Sequence, residues 1–133
     1  MQFLKNDDLA KLVLRLGVGV LIFFHGVSKI GNAGTLGFIK AQVLAHGLPE
    51  FVTYGVFIGE VVAPILLVLG VYARIGGLLV FGNMLFVFGL VHMGEIFTLS
   101  PHGGWGLELQ GLYLVGGLAI MFLGSGKYAI KAD

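Results

Sequence analysis

Two long stretches without Asp, Glu, Lys or Arg constrain the fold of this chain more than any other feature. They cover residues 75–94 and 109–126. Both are close to the length of about 20 residues that an α-helix needs to cross a bilayer. Over the whole chain 57% of residues are hydrophobic and 11% are charged, whereas roughly a quarter of a soluble domain is charged. The sequence therefore excludes a soluble globular protein and predicts an integral membrane protein.

The remaining composition excludes several kinds of chemistry. The net charge of +1 comes from 8 basic and 7 acidic residues, which gives no basic field for nucleic acid. The chain has no cysteine, so it offers no disulfide and no thiolate ligand for zinc or an iron–sulfur cluster. Any redox chemistry needs a bound cofactor or a partner subunit.

Four apolar segments can be delimited, at residues 12–28, 51–73, 75–94 and 107–124. Because a backbone in hydrocarbon must satisfy its own hydrogen bonds, and these segments are too long for barrel strands, we expect four helices. In the first connection Leu36, Ile39 and Val43 recur at helical spacing, and Thr35 can cap a helix that ends at Gly47. The predicted fold is all-α: one membrane domain over residues 1–133, a four-helix bundle with a short interfacial helix between the first two spans.

Basic residues outside the membrane predict the orientation. Five lie on the side of the two termini and two on the other side: Lys5, Lys11, Arg74, Lys127 and Lys131 against Lys29 and Lys40. This bias predicts that both termini are cytoplasmic. Arg74 marks a short turn between the second and third spans.

Small residues predict where the helices meet. Gly55, Gly59 and Ala63 fall four apart on the second span, and such stripes allow close contact between helices in lipid. Similar positions are Gly19 and Gly26 on the first span and the pairs Gly76-Gly77 and Gly116-Gly117. Pro64 cannot donate to the Glu60 carbonyl, which predicts a kink beside that acid.

Polar side chains within the spans are the candidates for a site, because such residues are costly in a membrane. Counted from the outer ends, Glu60 lies about 13.5 Å deep and Asn83 about 16.5 Å, so that the two could form a hydrogen bond. Arg15 has two open interpretations. Its side chain either extends toward the inner water or faces the interior and pairs with Glu60.

A shallower polar layer contains His25, Lys29, His92, Glu108 and Gln110, with Trp105 above it. One interpretation is that these side chains join the helices through hydrogen bonds. A second is a small-molecule site that opens outward. A third, a metal site from His25, His92 and His102, lacks tight ligand spacing, and no metal is predicted.

The order and spacing of several short motifs resemble the DoxX family, over residues 12–126. They are Leu14-Arg15-Leu16-Gly17, His25-Gly26 with Lys29, Gly47-Leu48-Pro49, Glu60 with Arg74 after Leu69-Gly70, and Gly104 with Glu108 before Gly124-Ser125-Gly126. The resemblance implies a small four-helix protein of a bacterial or archaeal inner membrane. It also implies a link to small subunits of thiosulfate:quinone oxidoreductase and other membrane redox complexes. The implied polar positions are Arg15, Lys29, Glu60, Arg74 and Glu108. Pro64 and the tail at residues 129–131 depart from the family pattern.

Three functions are consistent with these features. The first is a quinone-interacting subunit of a membrane oxidoreductase, in which Glu60 handles a proton. The polar head group of the quinone would be bound by His25, Lys29, His92, Glu108 and Trp105. Three further polar residues would have structural roles: Arg15, Arg74 and Asn83. The second is a non-catalytic anchor or assembly partner for redox enzymes, in a homo- or hetero-oligomer within the bilayer. The third, a small proton-coupled exporter, usually carries its acid in the first helix, whereas Glu60 lies in the second.

Overall fold

The computed structural model describes all residues from 1 to 133 and contains no β-strand. The five α-helices are α1 (Asp7–Lys29), α2 (Ala33–Ala45), α3 (Ala63–Leu69), α4 (Ala73–Leu90) and α5 (Glu108–Leu123). A 3-10 turn at Glu50–Gly55 and a π-helical turn at Ile58–Val62 lead into α3 and form with it the second span, Glu50–Leu69. By length and composition α1, the second span and α4 can each cross a membrane, whereas α2 and α5 are apolar but shorter. The chain is thus a helical membrane protein.

The first two helices are capped by asparagines. Asn6 accepts a hydrogen bond of 3.0 Å from the amide of Leu9, and Asp7 and Asp8 occupy the first turn of α1. At α2 the prediction that Thr35 caps the helix is wrong. The cap is Asn32, whose side chain accepts a hydrogen bond of 3.0 Å from the Thr35 amide. Asn32 directly precedes the helix, from where a short side chain can reach a free amide of the first turn.

Two spans end earlier than their apolar runs. The second span ends at Leu69 because Gly70 turns left-handed, with φ of 71°, and the chain reverses into α4. α4 ends at Leu90, four residues before the end of the predicted segment at residues 75–94, and a 3-10 turn follows at Met93–Glu95. Hydropathy alone does not mark these ends, since the residues beyond them are still apolar.

The four long segments pack in a ring. α1 contacts the second span and α5, and α4 contacts the same two segments from the other side. A buried core lies between them: Val18, Ile22, Ala63, Leu67, Ala73, Val80, Met84, Tyr113 and Ile120. Between α4 and α5, Gly77 and Gly117 bring the two backbones into direct contact.

The predicted small-residue stripe on the second span is only partly correct. Gly59 and Ala63 are buried, but Gly55 is exposed and has no neighbour where a side chain would begin. The reason is local geometry. Gly55 ends a 3-10 turn, which has three residues per turn and therefore rotates it away from the face that an α-helix would give it.

The tail after α5 folds back onto the turn after α3. The amide of Ile130 donates to the Leu69 carbonyl and the amide of Lys131 to the Gly70 carbonyl, each at 3.1 Å. Ser125 is fully buried beneath this tail. The tail therefore covers the end of the bundle that carries the two termini.

Candidate functional site

Glu60 lies in the least regular part of the second span. The Ala63 amide donates to the carbonyl of Ile58, five residues back, which defines a π-helical turn. Such turns are frequent at functional sites. The sequence predicts a kink beside Pro64, and the structure shows the irregularity as this turn. Glu60 as a residue is only 3% exposed, and its carboxyl group contacts side chains of α1 and α4.

Each oxygen of the Glu60 carboxylate has its own partner. The ammonium group of Lys29, from α1, forms an ion pair and hydrogen bond with Oε1. The side-chain amide of Asn83, from α4, donates to Oε2 at 3.3 Å. The Asn83 bond predicted from the two depths is therefore confirmed. The sequence places Lys29 in the shallower polar layer. Its long side chain spans the difference in depth between that layer and Glu60.

Two glycines allow α1 and α4 to approach Glu60 so closely. Gly26 lies one turn before Lys29, and a methyl group there would overlap the main-chain carbonyl of Glu60. A methyl group at Gly59 would overlap the side chain of Asn83. Lys29 and Asn83 can thus reach Glu60 because Gly26 and Gly59 have no side chain.

A cavity of about 120 Å³ lies beside the ion pair, between α1, α4 and α5. We call it the polar cavity, because its lining includes six residues that can donate or accept protons or hydrogen bonds: His25, Lys29, Glu60, His92, Gln110 and Tyr113. The rings of His25 and Tyr113 meet edge to face, with centroids 5.9 Å apart. The rest of the lining is apolar, for example Ile22 and Met84.

A second cavity, of about 240 Å³, lies on the other side of the ion pair, beneath α2. We call it the α2 chamber. Thr35, Phe38 and Ile39 of α2 form one wall, and Val56 and Leu90 lie among the residues opposite. It shares four lining residues with the polar cavity: Lys29, Glu60, Val87 and His92. The Lys29–Glu60 pair therefore lies between a polar and a largely apolar space.

The structure brings together some predicted binding residues and separates others. His25, Lys29 and His92 line the polar cavity with Glu60. Glu108 is exposed, with its carboxylate against Gly104. Trp105 donates from its indole nitrogen to the Ile96 carbonyl at 2.6 Å. Neither lines the polar cavity, because the loop between α4 and α5 folds on itself above it.

Tyr113 is the polar residue of this cavity that the sequence does not single out. It lies three residues after Gln110 on α5, so both face the same side of the helix. This spacing is a signal that could have identified it. A single tyrosine in an apolar helix is otherwise indistinguishable from an ordinary core residue.

Arg15 follows neither predicted interpretation. It is fully buried, and its guanidinium donates to three carbonyl groups of the surrounding backbone: to Ser125 at 3.0 Å, to Leu67 at 2.8 Å and to Tyr128. The proposed pairing with Glu60 and the extension into inner water are both wrong, because the tail folds back and encloses the side chain. Arg15 thus connects α1 to α3 and the tail.

Arg74 closes the same end of the molecule. Its guanidinium donates to the carbonyls of Met121 and Phe122, at 3.0 and 2.8 Å, in the last turn of α5. The Arg74 amide also donates to the side chain of Asp133 at 3.0 Å. A cation at a helix C-terminus is favourably placed against the helix dipole. These contacts agree with a structural role for Arg74.

The histidines do not form a metal centre. No group of three or more His, Asp or Glu side chains is arranged to hold a metal ion. His92 has a carboxylate within reach, with Nδ1 3.2 Å from Glu95 Oε1, but His102 lies in the exposed loop and lines neither cavity. The side chains that line the polar cavity can form hydrogen bonds and exchange protons.

Comparison with known proteins places these residues in a family context. The DoxX family model matches residues 10–93, which include Lys29, Glu60 and Asn83. A protein of Bacillus subtilis (strain 168) named "Putative oxidoreductase CatD" is 32% identical over 97 residues, which cover 72% of this chain and 63% of that protein. The chain thus spans less than two thirds of that relative's length. No solved structure matches the chain. Since the family match extends over more than half of the sequence, from α1 through α4, this chain belongs to the DoxX family.

Proposed function

We propose that the protein is a quinone-interacting subunit of an oxidoreductase complex in the inner membrane of a bacterium or archaeon. One observation carries this proposal: a buried carboxyl group, Glu60, lines a cavity together with the cation Lys29 and several hydrogen-bonding side chains. Ionisable groups at such depth mark functional sites in membrane proteins. The name of the Bacillus relative, an oxidoreductase, is consistent with this class of function.

The lining of the polar cavity fits a quinone head group. Lys29, Gln110 and Tyr113 carry hydrogen-bond donors that suit the carbonyl oxygens of a quinone. Ile22 and Met84 offer apolar surface to the faces of a ring. A few directed polar groups in an otherwise apolar cavity are typical of small-molecule sites.

Protons and electrons reach such a ligand by different routes. Conversion of a quinone to a quinol takes up two electrons and two protons, and the electrons come from a redox partner subunit. Glu60 and Lys29 exchange protons with the ligand, and His92 stands between the cavity and the outer loop to resupply them. Asn83 holds the second Glu60 oxygen, so that the carboxylate keeps its orientation when Lys29 shifts toward the ligand.

The proposal includes an arrangement of the helices in the membrane. We place α5 as a fourth span beside α4, with α2 lying on the outer membrane face and both termini in the cytoplasm. Single cysteines test this placement, and the cysteine-free chain makes each label unique. A cysteine at Thr98 should react with a membrane-impermeant maleimide in intact cells, and one at the exposed Lys127 should not. The reverse pattern would overturn the orientation.

The proton-handling role is tested with Glu60→Gln, with Glu50→Gln as the matched control. Glu50 makes the same kind of ion pair, with Lys40 at 3.0 Å, but its side chain is 57% exposed at the surface. In the complex isolated through a tag on this chain, we expect Glu60→Gln to lower quinol formation by about 10²-fold or more, as for other general acids and bases. Glu50→Gln should keep the wild-type rate. Full activity of Glu60→Gln in an assembled complex would contradict the proposal.

A second function, a non-catalytic anchor for redox enzymes, is favoured by one observation. Both oxygens of Glu60 already have partners within the chain, as in a purely structural contact. In this case Glu60→Gln should reduce the amount of complex recovered and leave the turnover of each assembled complex unchanged. Turnover per complex therefore separates the two functions.

A further inference from the structure

We infer that the α2 chamber holds the hydrophobic tail of the ligand, so that the substrate class is a tailed membrane quinone and not a small soluble one. This inference rests on the proposed function, whose head-group site is the polar cavity. It adds a second subsite, one wall of which is formed by α2, a helix that does not line the polar cavity.

The first argument is size. The polar cavity, at about 120 Å³, is smaller than the roughly 300 Å³ at which typical small-molecule sites begin. It has room for a head group at most. The α2 chamber is twice as large, at about 240 Å³, and the two spaces meet at the same four residues. Only both spaces together accommodate a complete ligand.

The second argument is polarity. Apart from Thr35 and the shared Lys29, Glu60 and His92, the α2 chamber is lined by aliphatic and aromatic side chains. An alkyl tail meets there the same kind of apolar surface as in the lipid, whereas a polar head group would lose its hydrogen bonds. The polar and apolar halves of one amphipathic molecule thus match the two sides of the Lys29–Glu60 pair.

The third argument is position. Two other apolar grooves exist, one lined by Val20, Phe24 and Val68 among others and one that includes Gly55, Gly82 and Asn83. Neither is lined by Lys29, Glu60 or His92. Neither groove shares a lining residue with the polar cavity, so a tail there would not be continuous with a head group in that cavity. The α2 chamber is the apolar space in contact with Lys29, Glu60 and His92.

α2 is fixed over the chamber at one end. Val43 is fully buried, and Lys40 pairs with Glu50 at the start of the second span. The other end, at Thr35 and Phe38, is partly open to the surroundings. A hydrophobic tail can therefore enter from the membrane side beneath the first turns of α2.

The first experiment fills the chamber. Ile39→Trp adds bulk on the chamber wall, and Leu44→Trp makes a similar change on an exposed face of α2 that lies outside the chamber. Binding of decylubiquinone and of tail-less duroquinone to the purified protein is read from the rise in its thermal unfolding midpoint, followed by circular dichroism. We expect Ile39→Trp to weaken decylubiquinone binding by about tenfold or more and duroquinone binding by less than about twofold. Leu44→Trp should change neither.

Labelling gives a second measurement that does not depend on the tryptophan variant folding. In the cysteine-free chain, decylubiquinone should protect Thr35→Cys from maleimide, whereas Gly55→Cys, in the other groove, should stay reactive. Protection of Gly55→Cys instead of Thr35→Cys would overturn the inference. Equal loss of both quinones in Ile39→Trp would also overturn it, although quinone binding itself would stand. If neither quinone shifts the unfolding midpoint of the wild-type protein, the proposed function fails together with the inference.

Discussion

The backbone of Gly26 lies directly against the main-chain carbonyl of Glu60. Pro64, one turn further along the second span, has no amide hydrogen to donate to this carbonyl. The break in the helix and the glycine that fits against it therefore occur at the same level of the bundle. Because Lys29 follows on the same face of α1, this contact also sets the distance across which Lys29 reaches the carboxylate.

Gly26→Ala should destabilise the protein and displace Lys29. A methyl group cannot be relieved by a side-chain rotation here, because it meets backbone atoms of Glu60. Overpacking of this kind costs about 1–3 kcal/mol. The matched control is Gly17→Ala on the same helix, where nothing lies within 4 Å of the added methyl group. The thermal unfolding midpoint in detergent should fall for the first variant and not for the second. Equal midpoints would mean that α1 does not pack on Glu60 as described.

The sequence predicts the helical segments and part of the site, but not where the second span and α4 end. Apolar runs locate the helices, and depth along two of them places Asn83 near Glu60. Arg15 shows where this reasoning stops, because its partners are main-chain carbonyls, two of them supplied by a tail more than a hundred residues away. Such contacts leave no pattern in residue type. The same limit applies to Trp105, whose partner is again a backbone carbonyl.

Arg15→Met should release the tail without removing the bulk of the side chain. The three carbonyls that Arg15 binds would lose their donor, and a buried acceptor without a partner costs about 1–3 kcal/mol. Opening of the tail would let water replace the guanidinium. Lys127 lies in the tail itself and its side chain is exposed, so release should speed tryptic cleavage after it. We expect several-fold faster cleavage at Lys127, measured by mass spectrometry, while Lys5→Met leaves that rate unchanged. An unchanged rate in Arg15→Met would show that the tail is held by its other contacts.

Gly59→Leu should separate the second span from α4. The new side chain would occupy the position of Asn83, whose bond to Glu60 depends on this contact. Gly55→Leu is the matched control, because Gly55 lies one turn earlier and has open space around it. The unfolding midpoint should fall for Gly59→Leu and stay within error for Gly55→Leu. A fall in both variants would show that Gly55 also packs against a neighbouring helix, as the small-residue stripe in the sequence predicts.

The Lys29–Glu60 pair should behave as a coupled unit in a double-mutant cycle. Lys29→Met leaves the Glu60 carboxylate buried with only the Asn83 amide as its partner, and breaking a buried pair from one side costs about 3–5 kcal/mol. Since 20% of the Lys29 side chain is exposed, we expect a value at or below the lower end. Glu60→Gln should cost less, because the unpaired Lys29 can turn toward solvent and the new amide oxygen still accepts from Asn83. In the double variant neither position of the pair carries a charge, so its free energy of unfolding should lie above that of Lys29→Met alone. If the two effects simply add, the ion pair contributes no coupling energy, and the short contact between α1 and the second span is maintained by Gly26 alone.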